Sequence, residues 1–487
     1  MHTLKSLNPQ NVWEYFEEIC KIPRPSKKEE KIIAWLENFA KNKHISVKKD
    51  AIGNLLFSKK ASSGLEMAPV TVLQAHVDMV CEKNNGVIHD FEQDPIRPLI
   101  SGEWVKASGT TLGADNGIGI AMILAVFSDP DLIHGPLEAL FTVDEETGLT
   151  GANAVQPGFI SGKTLINLDS EDEGKIYIGC AGGVKTSIEY TSQWENISSG
   201  VCYNLKINGL KGGHSGDDIE KGRGNAIKIL TGLLSESMEH FTVRILDIEG
   251  GNLHNAIPRE ASAIVNIPES EKNRFLQHAG IYFERIQKEL GKNDPEFKLH
   301  IADYQQSNAS CLHPEMAKEM IAALHACPNG VIAMSEKMKE LVETSLNIAS
   351  IKRDKSDNFQ IVISQRSSND YAIKELISKI RNLFEITGAK VEVGEGYPGW
   401  EPNLDSPILK IAQSTYISLF NRKPEVKAIH AGLECGLFLA KFPELDMISI
   451  GPTIRSPHSP DEKLEISTVD KTYQYLKEIL VAIAKGK

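Results

Sequence analysis

Five short segments of this 487-residue chain carry side chains that could do chemistry together: His76-Val77-Asp78, Leu112-Gly113-Ala114-Asp115-Asn116-Gly117, Asp144-Glu145-Glu146-Thr147-Gly148, Leu168-Asp169 and Ser456-Pro457-His458. Pooled, they offer two imidazoles and several carboxylates. That hard oxygen-plus-nitrogen donor set suits zinc, with manganese or cobalt as alternatives, rather than copper or iron–sulfur chemistry. Each segment alone has a plainer reading. Asp115 could be a helix N-cap, the Asp144–Glu146 run a solvated acidic turn, and His458 a surface histidine on a proline-stiffened loop. His76 and Asp78 sit at i and i+2, so they share a face of an extended strand. An acid so placed can fix the tautomer of a metal-binding imidazole.

The elements around these segments give them a common address. VTVLQAHVD (70–78), LEALFTVD (137–144) and KTLINLDS (163–170) are short apolar runs that end in acidic or His-bearing turns, and GIGIAMILAVFSDP (117–130) reads as a buried helix between them. Alternation of this kind predicts an α/β domain whose sheet is largely buried. In such sheets, sites gather at the carboxyl ends of the strands, so residues far apart in sequence can converge. Near the start, Pro25-Ser26 leads into KKEEKIIAWLENFAKNK, with Ser26 as N-cap and Glu29 at the capping-box position.

The pattern changes near GCAGG (179–183). From there to about residue 395, strand-like pieces alternate with amphipathic helices, after which the first pattern resumes. We therefore expect an α/β domain, a central mixed sheet flanked by helices, built from residues 1–184 and 396–487. An α+β insert of residues 185–395, long enough for two related halves, interrupts it.

Composition narrows the partners. The formal charge is −12, from 53 Lys and Arg against 65 Asp and Glu, which disfavours nucleic acid, since that needs a basic face. The longest apolar run, Ile118 to Phe127, is about half of the ~20 residues of a membrane span, and the N-terminal stretch has no apolar signal core. Seven scattered cysteines without a CxxC pair fit a reducing, cytoplasmic setting.

Taken in order, H-x-D, L-G-A-D-N-G, D-E-E-T-G, L-D and S-P-H resemble the co-catalytic zinc exopeptidases that include carboxypeptidase G, aminoacylases and cytosolic dipeptidases. Within them, QAHVDMV, TLGADNGIG, VDEETGLTGA, NLDSEDEG and HAGLECG are similar to those of the bacterial aminoacyl-histidine dipeptidases, over nearly the whole chain. The resemblance implies two divalent metal ions, one held by His76, Asp115 and Asp169, the other by Asp115, Glu146 and His458, with Asp115 as bridge. It implies Glu145 as general base acting on a water between the metals, Asp78 as the residue orienting His76, and a cis peptide at Asp115-Asn116. The first pattern's domain is then the family's catalytic domain and the insert resembles its lid domain, in which His214 of Gly212-Gly213-His214-Ser215-Gly216 would reach the substrate carbonyl oxygen. Asn255 of Asn255-Ala256-Ile257-Pro258 would help bind the substrate carboxylate. Members with a short lid place an Arg at the end of the strand that follows that Asn. Here that strand, ASAIVNIPES (261–270), has no Arg, and Arg366 is the expected substitute.

The expected activity is hydrolysis of small peptides, namely aminoacyl-histidine and other dipeptides. An N-acyl amino acid deacylase and a tripeptidase-like aminopeptidase of the same fold are the alternatives within the family. A metal-stabilised binding protein without catalysis would be expected to lack a ligand or the base, and none is missing. The resemblance also allows for a homodimer.

Overall fold

The computed structural model describes residues 4–197, 199–305 and 310–486. The chain divides into two compact units. The first comprises residues up to Gly179, Pro402–Ala428 and the segment from Leu433 onward; the second comprises Cys180–Glu401 and Ile429–Gly432.

The first unit is built on an eight-stranded mixed sheet. Its order is Ser46–Lys49, Leu55–Lys59, Leu137–Thr142, Thr71–His76, Thr164–Asn167, Asp446–Ser449, Lys175–Cys180, Glu425–Ile429. The four inner strands, from Leu137–Thr142 to Asp446–Ser449, run parallel. Parallel strands need both faces covered and so read as near-continuous apolar runs. Every residue of Thr71–His76 and of Leu137–Thr142 is buried. The helix Ala114–Ser128 is buried almost all round, as its unbroken apolar sequence requires.

The expected capping box is absent. The helix after Pro25 spans Glu30–Asn42 and has no side-chain cap. Ser26 Oγ instead donates to Asp78 Oδ2 at 2.7 Å, and Glu29 Oε1 accepts the N–H groups of Lys27 (2.8 Å) and Asp144 (3.0 Å). Both side chains serve the turns of the acidic cluster rather than their own helix.

The second unit holds a nine-stranded sheet whose recorded pairings are antiparallel. Four strands (Lys298–Tyr304, Val201–Asn208, Ala261–Ile267, Arg244–Gly250) form one group. Four more (Val342–Arg353, Phe359–Ser367, Gly182–Tyr190, Lys390–Val393) form another, and Gly330–Met334 pairs with Val342–Arg353. The groups meet where Gly250 pairs with Ile351. Helix Ala226–His240 lies against the first group and Asp370–Glu385 against the second, over one continuous apolar core. Ile429–Gly432, expected with the catalytic part, groups with this second unit instead. The Ala181 N–H donates to the carbonyls of Ile429 and Ala431, both at 3.1 Å.

Candidate metal centre

Three of the parallel strands end in polar residues two positions apart: Gln74 and His76, Thr142 and Asp144, and Asn167 and Asp169. His76 and Asp169 belong to the cluster described below, and the inner residues Gln74, Thr142 and Asn167 are fully buried. Gln74 Nε2 donates to Thr142 Oγ1 (3.1 Å) and to Glu434 Oε2 (2.6 Å), and Asn167 Nδ2 donates to Gln74 Oε1. Thr142 Oγ1 also donates to Glu434 Oε2 at 2.8 Å. Burial pushes the Glu434 carboxyl up to about 8. This polar platform was missed in the sequence, although its period-two spacing from the ligand candidates was available as a signal.

Above the platform, two triads share one residue. His76 Nε2 lies 3.1 Å from Asp115 Oδ1 and 3.2 Å from Asp169 Oδ1. His458 Nε2 lies 3.2 Å from Asp115 Oδ2 and 3.1 Å from Glu146 Oε2. In each triad the candidate ligand atoms fall within 4.8 Å of one another. Asp115 therefore offers a different oxygen to each triad. It is not an N-cap: that position is Gly113, at φ 68°. The Asp115–Asn116 peptide is cis, as the resemblance implied. Asn116 Nδ2 donates to Leu168 O at 2.7 Å, tying this loop to the strand end that carries Asp169.

Asp78 connects three motifs. It lies 3.3 Å from His76 Nδ1, close enough for an ion pair but without hydrogen-bond alignment. It also accepts from Ser26 and from the backbone N–H groups of Glu145 (3.1 Å) and Glu146 (3.2 Å). Burial opposes its ionisation, yet His76 and these donors hold its pKa down to about 2. Asp144, whose φ is 50°, turns the chain so that Glu145 and Glu146 follow; its carboxylate accepts from Thr147 and Thr150.

Charge is crowded here. Burial disfavours a protonated His76, but Asp169, Asp115 and Asp78 raise its pKa well above the usual imidazole value. Hydrogen bonds to Asp115 and Glu146 push His458 up to about 11. Burial, together with the Asp115 and Glu146 charges, lifts Asp169 to about 7 despite His76. Burial likewise raises Glu145 well above the ordinary carboxyl value, with Asp169, Glu146 and Glu434 adding to it and His76 opposing. Like charges this close ionise together only if positive charge joins them. Glu146 Oε1 is buried without a hydrogen-bond partner, and Asp169 Oδ1 has only its 3.2 Å approach to His76 Nε2. This donor set fits divalent cations.

The second unit brings its own candidates together. Gly213–His214 pairs with Ala256–Ile257, His214 opposite Ala256, and the Ser215 N–H donates to Asn255 O at 2.8 Å. The two motifs are thus neighbours. His214 Nδ1 lies 3.2 Å from Asp217 Oδ2. Arg366, 7% exposed, donates from Nη1 to Tyr397 Oη at 3.0 Å, while its Nε has no hydrogen-bond partner. It lines a cavity of about 280 Å³ with Lys185, His254 and Tyr397. His430, first residue of HAGLECG, is a further candidate that sequence reading left unassigned. Its Nε2 is 2.7 Å from Ser345 Oγ and its buried Nδ1 has no partner; burial and the Arg366 charge lower its pKa to about 4.

Comparison with known proteins gives a consistent answer. The profile described as Peptidase family M20/M25/M40 matches residues 72–482. The chain is 43% identical over 484 residues to the cytosol non-specific dipeptidase of Escherichia coli strain K12, covering 99% of each. It superposes on the crystal structure of aminoacylhistidine dipeptidase from Vibrio alginolyticus with a TM-score of 0.92 and 41% identity, over 99% of this chain and 98% of that one. The aminopeptidase PepT of Bacillus cereus shares the fold at 18% identity, with a TM-score of 0.58 over 98% of this chain and 99% of that one.

Proposed function

The chain belongs to peptidase family M20/M25/M40, and from that membership we propose that it is a cytosolic dipeptidase working with two divalent metal ions, zinc or alternatively manganese or cobalt. The observation that carries the reading is Asp115, whose two oxygens face two different imidazoles. His76, Asp115 and Asp169 would hold one ion and Asp115, Glu146 and His458 the other. When bound, such ions polarise a carbonyl and lower the pKa of water towards ~7.

The protein's own groups account for the rest. Glu145, held at a raised pKa among buried carboxylates, takes a proton from the attacking water. As the C–O bond forms and the C–N bond breaks, it passes that proton to the leaving amine nitrogen. Asp78 keeps His76 and the Glu145–Glu146 turn in register. His214 is assigned to the substrate carbonyl oxygen, and Asn255 and Arg366 to the C-terminal carboxylate, which a planar guanidinium suits. Recognising that carboxylate limits how far a peptide extends beyond the scissile bond. The names of the E. coli and V. alginolyticus relatives support dipeptides, aminoacyl-histidines among them. No helix among the described residues is long and apolar enough to cross a membrane.

The decisive experiment is hydrolysis of β-alanyl-histidine, glycyl-histidine and alanyl-histidine, beside N-acetyl amino acids and tripeptides, after chelation and after restoring each metal singly. Metal-dependent cleavage of dipeptides is expected. Cleavage confined to N-acyl amino acids would make the protein a deacylase, tripeptides cut in preference would make it a tripeptidase-like aminopeptidase, and no metal-dependent turnover would end the reading.

Arg366→Ala is expected to lower kcat/KM for dipeptides roughly 10–100-fold, the scale of one lost charge-assisted contact, chiefly through KM. A C-terminally amidated dipeptide should lose little further. If the variant still prefers the free carboxylate as strongly as the parent does, another residue reads that group.

A further inference from the structure

Backbone amides that lie outside regular structure and away from water need another acceptor. Leu112–Asp115 form such a loop, because Asp115 and Asn116 have non-helical dihedrals and the regular helix begins only after them. Glu462 is that acceptor, with both oxygens. Its Oε2 accepts from the N–H groups of Leu112 (2.6 Å) and Gly113 (2.9 Å), and its Oε1 from those of Ala114 (2.7 Å) and Asp115 (3.3 Å). Glu462 lies four residues after His458. One loop therefore grips Asp115 twice, by its carboxylate through His458 and by its backbone through Glu462.

The carbonyls of the same region are taken by Arg24, 2% exposed. Its guanidinium donates to Gly113 O (2.5 Å), Asp78 O (2.6 Å) and Val77 O (3.0 Å). These bonds join the loop carrying Asp115 to the turn that follows His76. A buried cation is costly unless opposite charge compensates it, and the carboxylates whose field reaches Arg24 are those of Asp78 and Glu462. The glycines of the motif make room for it: a Cβ on Gly113 would stand 2.6 Å from Arg24 Nη2, and one on Gly117 2.7 Å.

We propose that Arg24 and Glu462 are positioning residues that hold the Asp115 loop from its carbonyl and amide sides, so that one carboxylate can serve two metal ions. The proposal rests on the dinuclear reading above. A bridging ligand tolerates displacements of only about 0.5 Å, so loosening either grip weakens metal binding before it unfolds the protein.

The test uses the full-length holoenzyme and the variants Arg24→Lys and Glu462→Gln. Metal affinity is measured by competition with a chromophoric chelator, and ligand geometry by the visible spectrum after exchange into cobalt(II). Both variants should bind metal roughly 10–100-fold more weakly, as loss of supporting contacts does at other metal sites, with altered cobalt bands. Tyr282→Phe, which removes the buried bond from Tyr282 Oη to Ile229 O in the second unit, serves as control: its Tm should fall while metal affinity and spectrum stay as in the parent. Should Arg24→Lys and Glu462→Gln behave like that control, the positioning role is overturned. If either fails to fold, Glu462→Asp keeps the charge on a shorter arm. Weakened metal binding in that variant supports the proposal, and parental affinity overturns it. A parent that takes up no metal would instead overturn the dinuclear reading itself.

Discussion

Glu145→Gln should retain both metals and lose about 10²–10⁴-fold in kcat, the range a positioned general base contributes. Glutamine matches glutamate in shape, and the Glu145 N–H that donates to Asp78 belongs to the backbone, so the substitution leaves the turn and its neighbours in place. What it removes is the capacity to accept a proton. A carboxylate in water is too weak a base to hold that proton well at neutral pH. In the metal-free protein, burial, with Asp169, Glu146 and Glu434 nearby, raises the Glu145 pKa well above the ordinary value; bound cations would lower it again. Metal content, kcat and KM measured on one preparation decide the matter. A variant with two metals and more than about a tenth of the parent's kcat would remove Glu145 from proton transfer, whereas loss of metal would recast it as a ligand.

How far the site was legible in the sequence follows from the physics of each part. The candidate ligands His76 and Asp169 stood out because they follow apolar strands and Asp115 because it precedes a buried helix, where a charged side chain has little structural reason to be; Glu146 and His458 lie in turns and stood out only in the company of the other motifs. The reading faltered where a side chain serves a distant backbone. Glu29 fits a local capping box with Ser26, yet it accepts the distant Asp144 backbone N–H, while Ser26 donates to the distant Asp78 carboxylate; either bond outcompetes a cap that saves one amide. Glu462 and Arg24 were invisible for the same reason: their partners are main-chain groups, which leave no trace in residue types. Gln74 and Asn167 were recoverable, being two residues before His76 and Asp169. The border of the second unit near residue 180 was legible from a change of pattern, but the return of Ile429–Gly432 to that unit was not. A four-residue excursion is too short to alter any periodicity.

Asp115→Asn should lose both metal ions, while His458→Ala should lose about one of two. The asymmetry follows from connectivity. Asp115 presents Oδ1 to His76 and Oδ2 to His458, so an amide in its place deprives each triad of charge at once. His458, by contrast, is half exposed and belongs to one triad only. Turnover should fall to the assay floor in Asp115→Asn. Proton counting gives a second readout. In the metal-free protein, hydrogen bonds to Asp115 and Glu146 push His458 up to about 11, so at pH 7 its imidazole is protonated. An imidazole must lose that proton to bind a metal. Metal uptake by chelated parent protein should therefore release protons, and affinity should rise with pH until the imidazoles no longer carry protons to displace. Asp115→Asn should show neither uptake nor release under the same titration. Retention of even one tightly held ion by that variant would mean the two triads are built independently, with Asp115 an ordinary ligand of one of them.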